Sequence, residues 1–310
     1  MKTKLLPSQD LSPLVNFMLM KVDEKETNEY LERKAKQTIT SDMNLSDLLE
    51  HEPLVFKKNI LRDLEIEKTT KDVIPITIGR AFENFFLPFL LETGRFEREV
   101  ETFFKVKGSL GEWTISGRAD LVEYLNVSNH KMTDKDIIIR DWKSTSAYQM
   151  EQVLKEFNRY EKSGVLPKHK YFWQLQAYKY AFTQNGYNVH DLSLMIYCRH
   201  WTQRKSTEIN NFPSSEFFER RVPDMPMEQI EEYLRERASA HQELNYGQSF
   251  PEATEPQCSE EERWVRNGVS MRCNLYCDVG KSGLCPQFNK EKAGYTNTNT
   301  THKRSKNAKQ

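Results

Sequence analysis

The spacing of hydrophobic positions changes several times along the chain, and each change marks an element. From Phe96 to Val106, Phe and Val alternate with charged residues, the two-residue period of a half-buried strand. Gly108 to Gly111 supply a turn, and Trp113 to Leu121 form a second strand, so the two are expected to make an antiparallel hairpin. Asp136 to Lys143 is a third strand, with Ile137, Ile138 and Ile139 as its buried stem. Helices are expected over Tyr148 to Tyr160 and Tyr171 to Gln184. A mostly apolar internal strand follows over Leu192 to Cys198, then a helix over Met227 to Leu244 with Ile230, Tyr233 and Leu234 on one face. Upstream, Gly79 to Leu91 reads as an apolar helix that Pro88 should kink or interrupt and Gly94 should end.

The flanks differ from this centre. Residues 1–70 are helix-leaning, charged and poor in glycine, with a small apolar cluster of Leu14, Phe17, Met18 and Met20 after Pro13. Ser41 and Ser46 are placed to cap short helices. This part is expected to be a helical extension that packs on the main domain or covers its groove. Residues 71–250 form the main domain, 251–289 a cysteine-rich segment, and 290–310, dominated by Asn, Thr and Lys, a disordered basic tail. No internal repeat is visible. The alternation of strands and helices predicts an α/β fold.

Composition narrows the class. Over 310 residues, 37% are hydrophobic, 29% charged and 11% aromatic, the profile of a folded globular chain. Lys plus Arg and Asp plus Glu balance at 45 each, which argues against a basic coat over the whole surface but leaves room for a local basic groove. No apolar run is long enough to span a membrane, and Met-Lys-Thr-Lys-Leu-Leu-Pro lacks the apolar region of a signal peptide. The expected location is the cytoplasm, where thiols stay reduced, so the five cysteines read as metal ligands or buried thiols.

The candidate chemistry sits on the second and third strands. Gly117-Arg118-Ala119-Asp120 closes one, and Asp141-Trp142-Lys143 closes the other. Strand alternation puts Asp141 and Lys143 on one face, with Ile137 and Ile139 behind them, and turns Arg140 and Trp142 to the other. Two carboxylates suit Mg²⁺ or Mn²⁺, and a lysine beside them suits a reaction that builds negative charge, such as phosphodiester hydrolysis. Gly117 lets a phosphate or backbone approach closely. The plain alternative is an exposed ion pair, since Asp-x-Lys and Gly-x-x-Asp are each common.

A further motif changes the weighting. Gln174 and Tyr178 lie four apart on one helical face, within Tyr171-Phe172-Trp173-Gln174-Leu175-Gln176-Ala177-Tyr178. Gly-x-x-Asp, then Asp-x-Lys, then Gln-x-x-x-Tyr, in this order, resembles the PD-(D/E)XK nuclease superfamily, and within it the RecB-like branch of phage exonucleases and CRISPR-adaptation nucleases. The resemblance covers about residues 77–288. It implies a restriction-endonuclease-like core, a mixed β-sheet flanked by helices, with Asp120 and Asp141 as metal ligands and Lys143 as the catalytic lysine. Gln174 and Tyr178 would line the site. Gly79-Arg80-Ala81-Phe82-Glu83 matches the family's helix motif, with Glu83 at the ligand position where many RecB-like members have His; the alternative for Glu83 is a solvated carboxylate. Arg80 and Arg118 are the candidates for phosphate contact. The implied activity is a metal-dependent exonuclease on DNA ends, in recombination, repair or phage DNA processing. Its partner is DNA, with a helicase, single-strand-binding or recombination protein as a possible companion. An inactive DNA-binding or scaffold relative and a site- or structure-specific endonuclease stand as alternatives.

Cys258, Cys273, Cys277 and Cys285 fall within 28 residues in the spacing C-x14-C-x3-C-x7-C. Four thiols this close in a reducing compartment suggest a tetrahedral thiolate site. A [4Fe–4S] cluster is preferred over Zn²⁺ because several RecB-like nucleases carry one, although here no cysteine precedes residue 198. Either metal would staple the C-terminal segment. Cys198, in an apolar strand, reads as a buried thiol.

Overall fold

The computed structural model describes residues 2–7, 9, 11, 13–36, 39–60, 65–126, 135–208, 212–245, 257–266, 268–275 and 277–293. In chain order the elements are β1 (Lys2–Leu6), α1 (Pro13–Lys36), β2 (Met43–Asn44), α2 (Leu45–Leu48), α3 (Glu52–Ile60), β3 (Glu65–Thr69) and α4 (Thr70–Glu92). β4 (Phe96–Gly108), β5 (Gly111–Tyr124), β6 (Asp136–Ser146), α5 (Ala147–Ser163), α6 (Lys170–Gln184) and β7 (Asn188–Arg199) follow. Then come α7 (Gln203–Glu208), β8 (Phe217–Arg221), α8 (Met227–Asn245), α9 (Glu260–Arg263), β9 (Val265–Arg266), β10 (Val269–Ser270), α10 (Met271–Leu275) and α11 (Asp278–Lys281). A last helix, α12, spans 286–293. It runs past residue 290, where the tail was expected to begin; 294–310 lie outside the described residues.

The chain divides into two compact units, one built from residues 7–49 and 70–243, the other from 1–6, 50–69 and 244–310. The larger unit holds a mixed six-stranded sheet in the order β2-β5-β6-β7-β8, with β4 also paired to β5. This is the mixed α/β architecture expected from the sequence. β4 and β5 form the expected hairpin, from Phe96↔Glu123 to Gly108↔Gly111. Its turn is clamped by α8: Gln242 Oε1 accepts from Leu110 N at 2.8 Å and Gln242 Nε2 donates to Gly111 O at 2.9 Å. A Cβ at Gly108 would meet Gln242 Oε1 at 2.3 Å, so a side chain there would have to displace the Gln242 amide from the turn.

β5 pairs with β6 over only four positions, from Tyr124↔Ile137 to Leu121↔Arg140. Beyond that point the strands part, and β2 pairs with β5 instead, at Met43↔Ile115 and Asn44↔Ser116. β6 continues in parallel with β7 as far as Ser146↔Arg199. α5 and α6 cover the sheet. Ser146 caps α5 by accepting from Gln149 N at 3.2 Å, and Gly164 ends it at φ 66°. Met150, Val153 and Phe157 of α5 and Phe172 and Leu175 of α6 are buried in one core with Ile137, Ile139, Leu194 and Ile196.

Four local expectations change. Pro88 does not interrupt α4, which runs unbroken to Glu92. Pro88 and Asn84, whose carbonyl loses its helical partner, are both exposed, so water can satisfy that group. Leu87 is buried and Phe86 stacks on Phe217 at 4.9 Å, holding the helix beside the proline. Asn44 rather than Ser46 caps α2, accepting from Asp47 N at 2.9 Å, while Ser41 bonds to Ser116 Oγ at 3.0 Å. Residues 2–69 are not purely helical, since β1 pairs in parallel with β3 and β2 joins the sheet. Phe17, Met18 and Met20 are exposed on α1, and the Leu14 side chain lies outside those described.

In the smaller unit, Leu54, Cys273, Val279, Cys285 and Phe288 form an apolar cluster with Cys277 at its edge. A capping box of Ser259 and Glu262 opens α9. Among the described residues no helix is long and apolar enough to cross a membrane.

Candidate active site

The parting of β5 and β6 creates the site. Asp120 lies one residue beyond the last β5–β6 pair, and its carboxylate enters the gap, where Oδ2 accepts from the Trp142 backbone N–H at 2.9 Å. Asp141, at the same level on β6, is fully buried. Its Oδ2 is ion-paired with Lys143 Nζ, and its Oδ1 accepts weakly from Gln174 Nε2 at 3.4 Å. The alternation of β6 thus places Asp141 and Lys143 together, as expected, over the stem of Ile137 and Ile139.

Burial pushes the Asp141 carboxyl up, and the nearby Asp120 charge adds to this; Lys143 opposes both, leaving Asp141 at about 7. Burial lowers Lys143, but Asp141 and then Asp120 outweigh it and hold the lysine above its ordinary value. The site therefore keeps a cationic lysine against two carboxyl groups that repel each other in a low dielectric. Such a pair is relieved by a divalent cation, and two carboxylates are hard oxygen donors of the kind Mg²⁺ or Mn²⁺ takes. Asp120 and Asp141 therefore fit a divalent ion. Glu83 lies on α4, but its side chain is outside those described.

α6 supplies the wall. Gln174 Nε2 reaches Tyr178 OH at 3.4 Å, and Tyr178 donates to the Arg118 carbonyl at 2.5 Å, tying helix to strand. Burial raises the Tyr178 phenol, so it stays a donor. A Cβ on Gly117 would stand 3.0 Å from Tyr178 Cε1, so the group that approaches this glycine is the tyrosine ring rather than a backbone or phosphate. Tyr171 was not singled out from the sequence, yet Lys143 Nζ lies 5.3 Å from its ring centroid. Its place three residues before Gln174 and seven before Tyr178 is the helical signal that would have found it. His169 caps α6 by accepting from Tyr171 N at 3.3 Å; burial, then Lys170 and Lys143, lowers it to about 4.

The opposite face behaves as alternation dictates. Arg140 binds Glu123 and Glu219, so it serves the sheet. Trp142 stacks with Phe217 at 5.9 Å and Phe86 at 6.4 Å. Arg80 and Arg118 both approach Glu99, at 3.7 and 3.8 Å, beside Asp120.

At the cysteine cluster, all five cysteines of the chain are free thiols, and Cys198 is buried in β7 as expected. Lys57, itself buried, lies 3.7 Å from Cys285 Sγ, 3.9 Å from Cys258 Sγ and 3.2 Å from Gln287 Oε1. Burial raises the Cys258 thiol to about 11 against the pull of Lys57, and burial followed by Cys277 and Cys285 raises Cys273. Among the described residues no group of three or more His, Cys, Asp or Glu side chains is arranged to hold a metal ion.

The profile of the PD-(D/E)XK nuclease superfamily matches residues 22–264, well over half of the chain and all of the carboxylate site. The protein belongs to the PD-(D/E)XK nuclease superfamily. Among solved structures, that of a protein called SSO0001 aligns with a TM-score of 0.47 at 15% identity, over 86% of this chain and 96% of that one. A search of curated proteins finds no match.

Proposed function

We propose that this chain is a divalent-metal-dependent deoxyribonuclease of the RecB-like branch that degrades DNA from its ends. The observation that carries the reading is the buried Asp141, paired with Lys143 and facing Asp120, where β5 and β6 part. Asp120, Asp141 and Glu83 would hold Mg²⁺ or Mn²⁺, which when bound polarises the phosphate and makes its water acidic. Lys143 keeps its proton and offers a fixed cation to the charge that grows on the phosphoryl oxygens. Gln174 orients Asp141, Tyr178 fixes α6 on β5, and Arg80 and Arg118 bind substrate phosphate. The Gln-x-x-x-Tyr helix supports the exonuclease reading over the endonuclease one. The paired lysine and carboxylates support activity over an inactive scaffold.

The same proposal assigns the core to residues 71–250, an extension to 1–70, and a structural staple to 251–289 at Cys258, Cys273, Cys277 and Cys285. The group there would be a [4Fe–4S] cluster, with Zn²⁺ as the alternative. Support comes from the donor chemistry: Cys273, Cys277 and Cys285 share one apolar cluster, and Lys57 Nζ lies near both Cys258 and Cys285. A cytoplasmic setting, with a helicase or recombination protein as companion, belongs to the same reading.

The test is cleavage of end-labelled linear DNA, single- and double-stranded, and of circular DNA, with Mg²⁺, Mn²⁺ or EDTA. Metal-dependent loss of label from linear DNA only, absent in Lys143→Ala, is the expected result. Cutting of circles would favour the endonuclease. Folded protein that binds DNA without cutting it would favour the scaffold.

A further inference from the structure

Lys143 has two neighbours of different kinds. One is the Asp141 carboxylate, with which it is ion-paired; the other is the Tyr171 ring, whose centroid lies 5.3 Å from Nζ. The carboxylate is contested. A divalent ion held by Asp120 and Asp141 takes carboxylate oxygens, so it competes with Lys143 for Asp141. An ammonium that loses its carboxylate partner can swing away, because it sits on a flexible four-carbon stem. The ring is not contested, since hard divalent ions take oxygen ligands and not an aromatic face.

The start of α6 keeps that ring in place. Glu156 Oε2, on α5, accepts from Lys168 N at 2.7 Å and His169 N at 2.8 Å, pinning the chain just before the helix. His169 Nδ1 accepts from Tyr171 N, and the His169 and Tyr171 rings meet edge to face with centroids 4.4 Å apart. Tyr171 also packs against the main core. Lys143 Nζ lies over a ring that is braced from three sides. The Lys143 side chain is only 16% exposed, and a cation–π contact gains strength as water is excluded. Gln174 meets Asp141 and Tyr178 meets the Arg118 carbonyl, so each of these α6 side chains holds a different group.

We infer that Tyr171 is a positioning residue, whose ring holds the Lys143 ammonium in the carboxylate site when a divalent metal takes Asp141. That the ammonium then serves phosphodiester cleavage rests on the nuclease reading; the anchoring itself does not.

Two measurements on the full chain test this. The first is NMR of protein carrying isotopically labelled lysine, with the Lys143 signal assigned by its loss in Lys143→Ala. The ring current should set the Lys143 ε-methylene apart from those of other lysines, and it should stay there as Mg²⁺ is added. Tyr171→Phe should keep that position, and Tyr171→Leu should lose it. The second is cleavage of linear DNA at saturating Mg²⁺. Tyr171→Leu should lower kcat about tenfold with little change in KM, the rate equivalent of losing a partly desolvated cation–π contact. Tyr171→Phe should stay close to wild type, because the ring face remains. Fluorinated phenylalanine at position 171 keeps the ring's shape but depletes its negative face, so kcat should fall without any effect on folding. In the Lys143→Ala background Tyr171→Leu should cost nothing further, since a residue that acts through Lys143 has nothing left to hold. A Lys143 signal that Mg²⁺ moves equally in wild type and Tyr171→Leu overturns the inference. So does a loss of kcat that persists in full without Lys143. If the wild type cuts no DNA, the nuclease reading fails, and the Mg²⁺ titration of the Lys143 signal alone decides whether the anchor stands.

Discussion

Asp120 and Trp142 are joined by a hydrogen bond from the Trp142 backbone N–H to Asp120 Oδ2, 2.9 Å long, at the point where their strands stop pairing. A ladder bond is replaced by a side-chain bond. The carboxylate fills the place of the missing strand partner and is fixed facing Asp141. Trp142 anchors the other side by stacking with Phe86 and Phe217. The two faces of β6 thus divide the work, one holding the strand and the other carrying charge.

Lys143→Ala should reduce cleavage by about a hundredfold or more, the scale for losing a preorganised charge stabiliser. It also removes the only influence named above that lowers Asp141, so the Asp141 carboxyl should rise further. Cleavage rates and a carboxyl titration by NMR check the two effects. A folded Lys143→Ala protein with near-normal rates would remove the lysine from the catalytic assignment.

Metal binding should depend on pH through Asp141. Its raised value, about 7, means that below neutrality the metal-free carboxyl carries a proton which a metal must displace. Apparent Mn²⁺ affinity should fall about tenfold per pH unit below that value and level off above it. Titration calorimetry in buffers of different ionisation heat would count the released proton. A flat affinity between pH 5 and 8 would contradict the assignment of Asp141 as a ligand.

His169 predicts a separate pH effect, on stability. Its folded value, about 4, lies below the ordinary 6.5, so below pH 6.5 the unfolded state binds the extra proton. The contribution is therefore complete above about 6.5, is lost as pH falls towards 4, and changes no further below that. His169→Asn keeps a cap on α6 and should remove this part of the slope. Thermal unfolding from pH 4 to 7 compares the two; equal slopes would reject the explanation.

Much of this site is legible in the chain because it is local. The period of β6 fixes Asp141 and Lys143 on one face, and the helical spacing of α6 fixes Gln174 beside Tyr178. What depends on distant partners is not legible. The parting of β5 from β6 is accompanied by the pairing of β2 with β5, contributed by Met43 and Asn44 some seventy residues earlier. The left-handed Glu99 and the arginines of three elements within 4.0 Å of its carboxylate are tertiary features of the same kind. Gly117 looked like an opening for substrate because sequence shows the missing Cβ but not the Tyr178 ring that uses the space. Pro88 looked like a break because the packing of Phe86 and Leu87 around it cannot be read locally.

Gly117→Ala should therefore act through Tyr178. The new Cβ, 3.0 Å from Tyr178 Cε1, must push the ring and strain its bond to the Arg118 carbonyl. The expected cost is about 1–3 kcal/mol of stability, typical of overpacking. Activity should fall with it, since Tyr178 and Gln174 share one helical face. Adding Tyr178→Leu, which frees space, should restore part of the stability but not the activity. Failure of the double variant to recover any stability would show that the clash lies elsewhere.

Cys277→Ser tests the thiolate proposal without reference to catalysis. If Cys258, Cys273, Cys277 and Cys285 share a metal, losing one thiolate should remove most of the bound iron or zinc and any visible absorption band. It should also destabilise the segment over 257–293, because metal binding at a structural site contributes directly to folding. Cys198→Ser, in the apolar strand β7, is the control: it should leave metal content unchanged. Elemental analysis with proteolysis of the C-terminal segment gives both readouts. Undiminished metal and protease resistance in Cys277→Ser would leave the cysteines as buried thiols around Lys57. The Lys57 contacts to Cys258 and Cys285 would then be the polar centre of an otherwise apolar cluster.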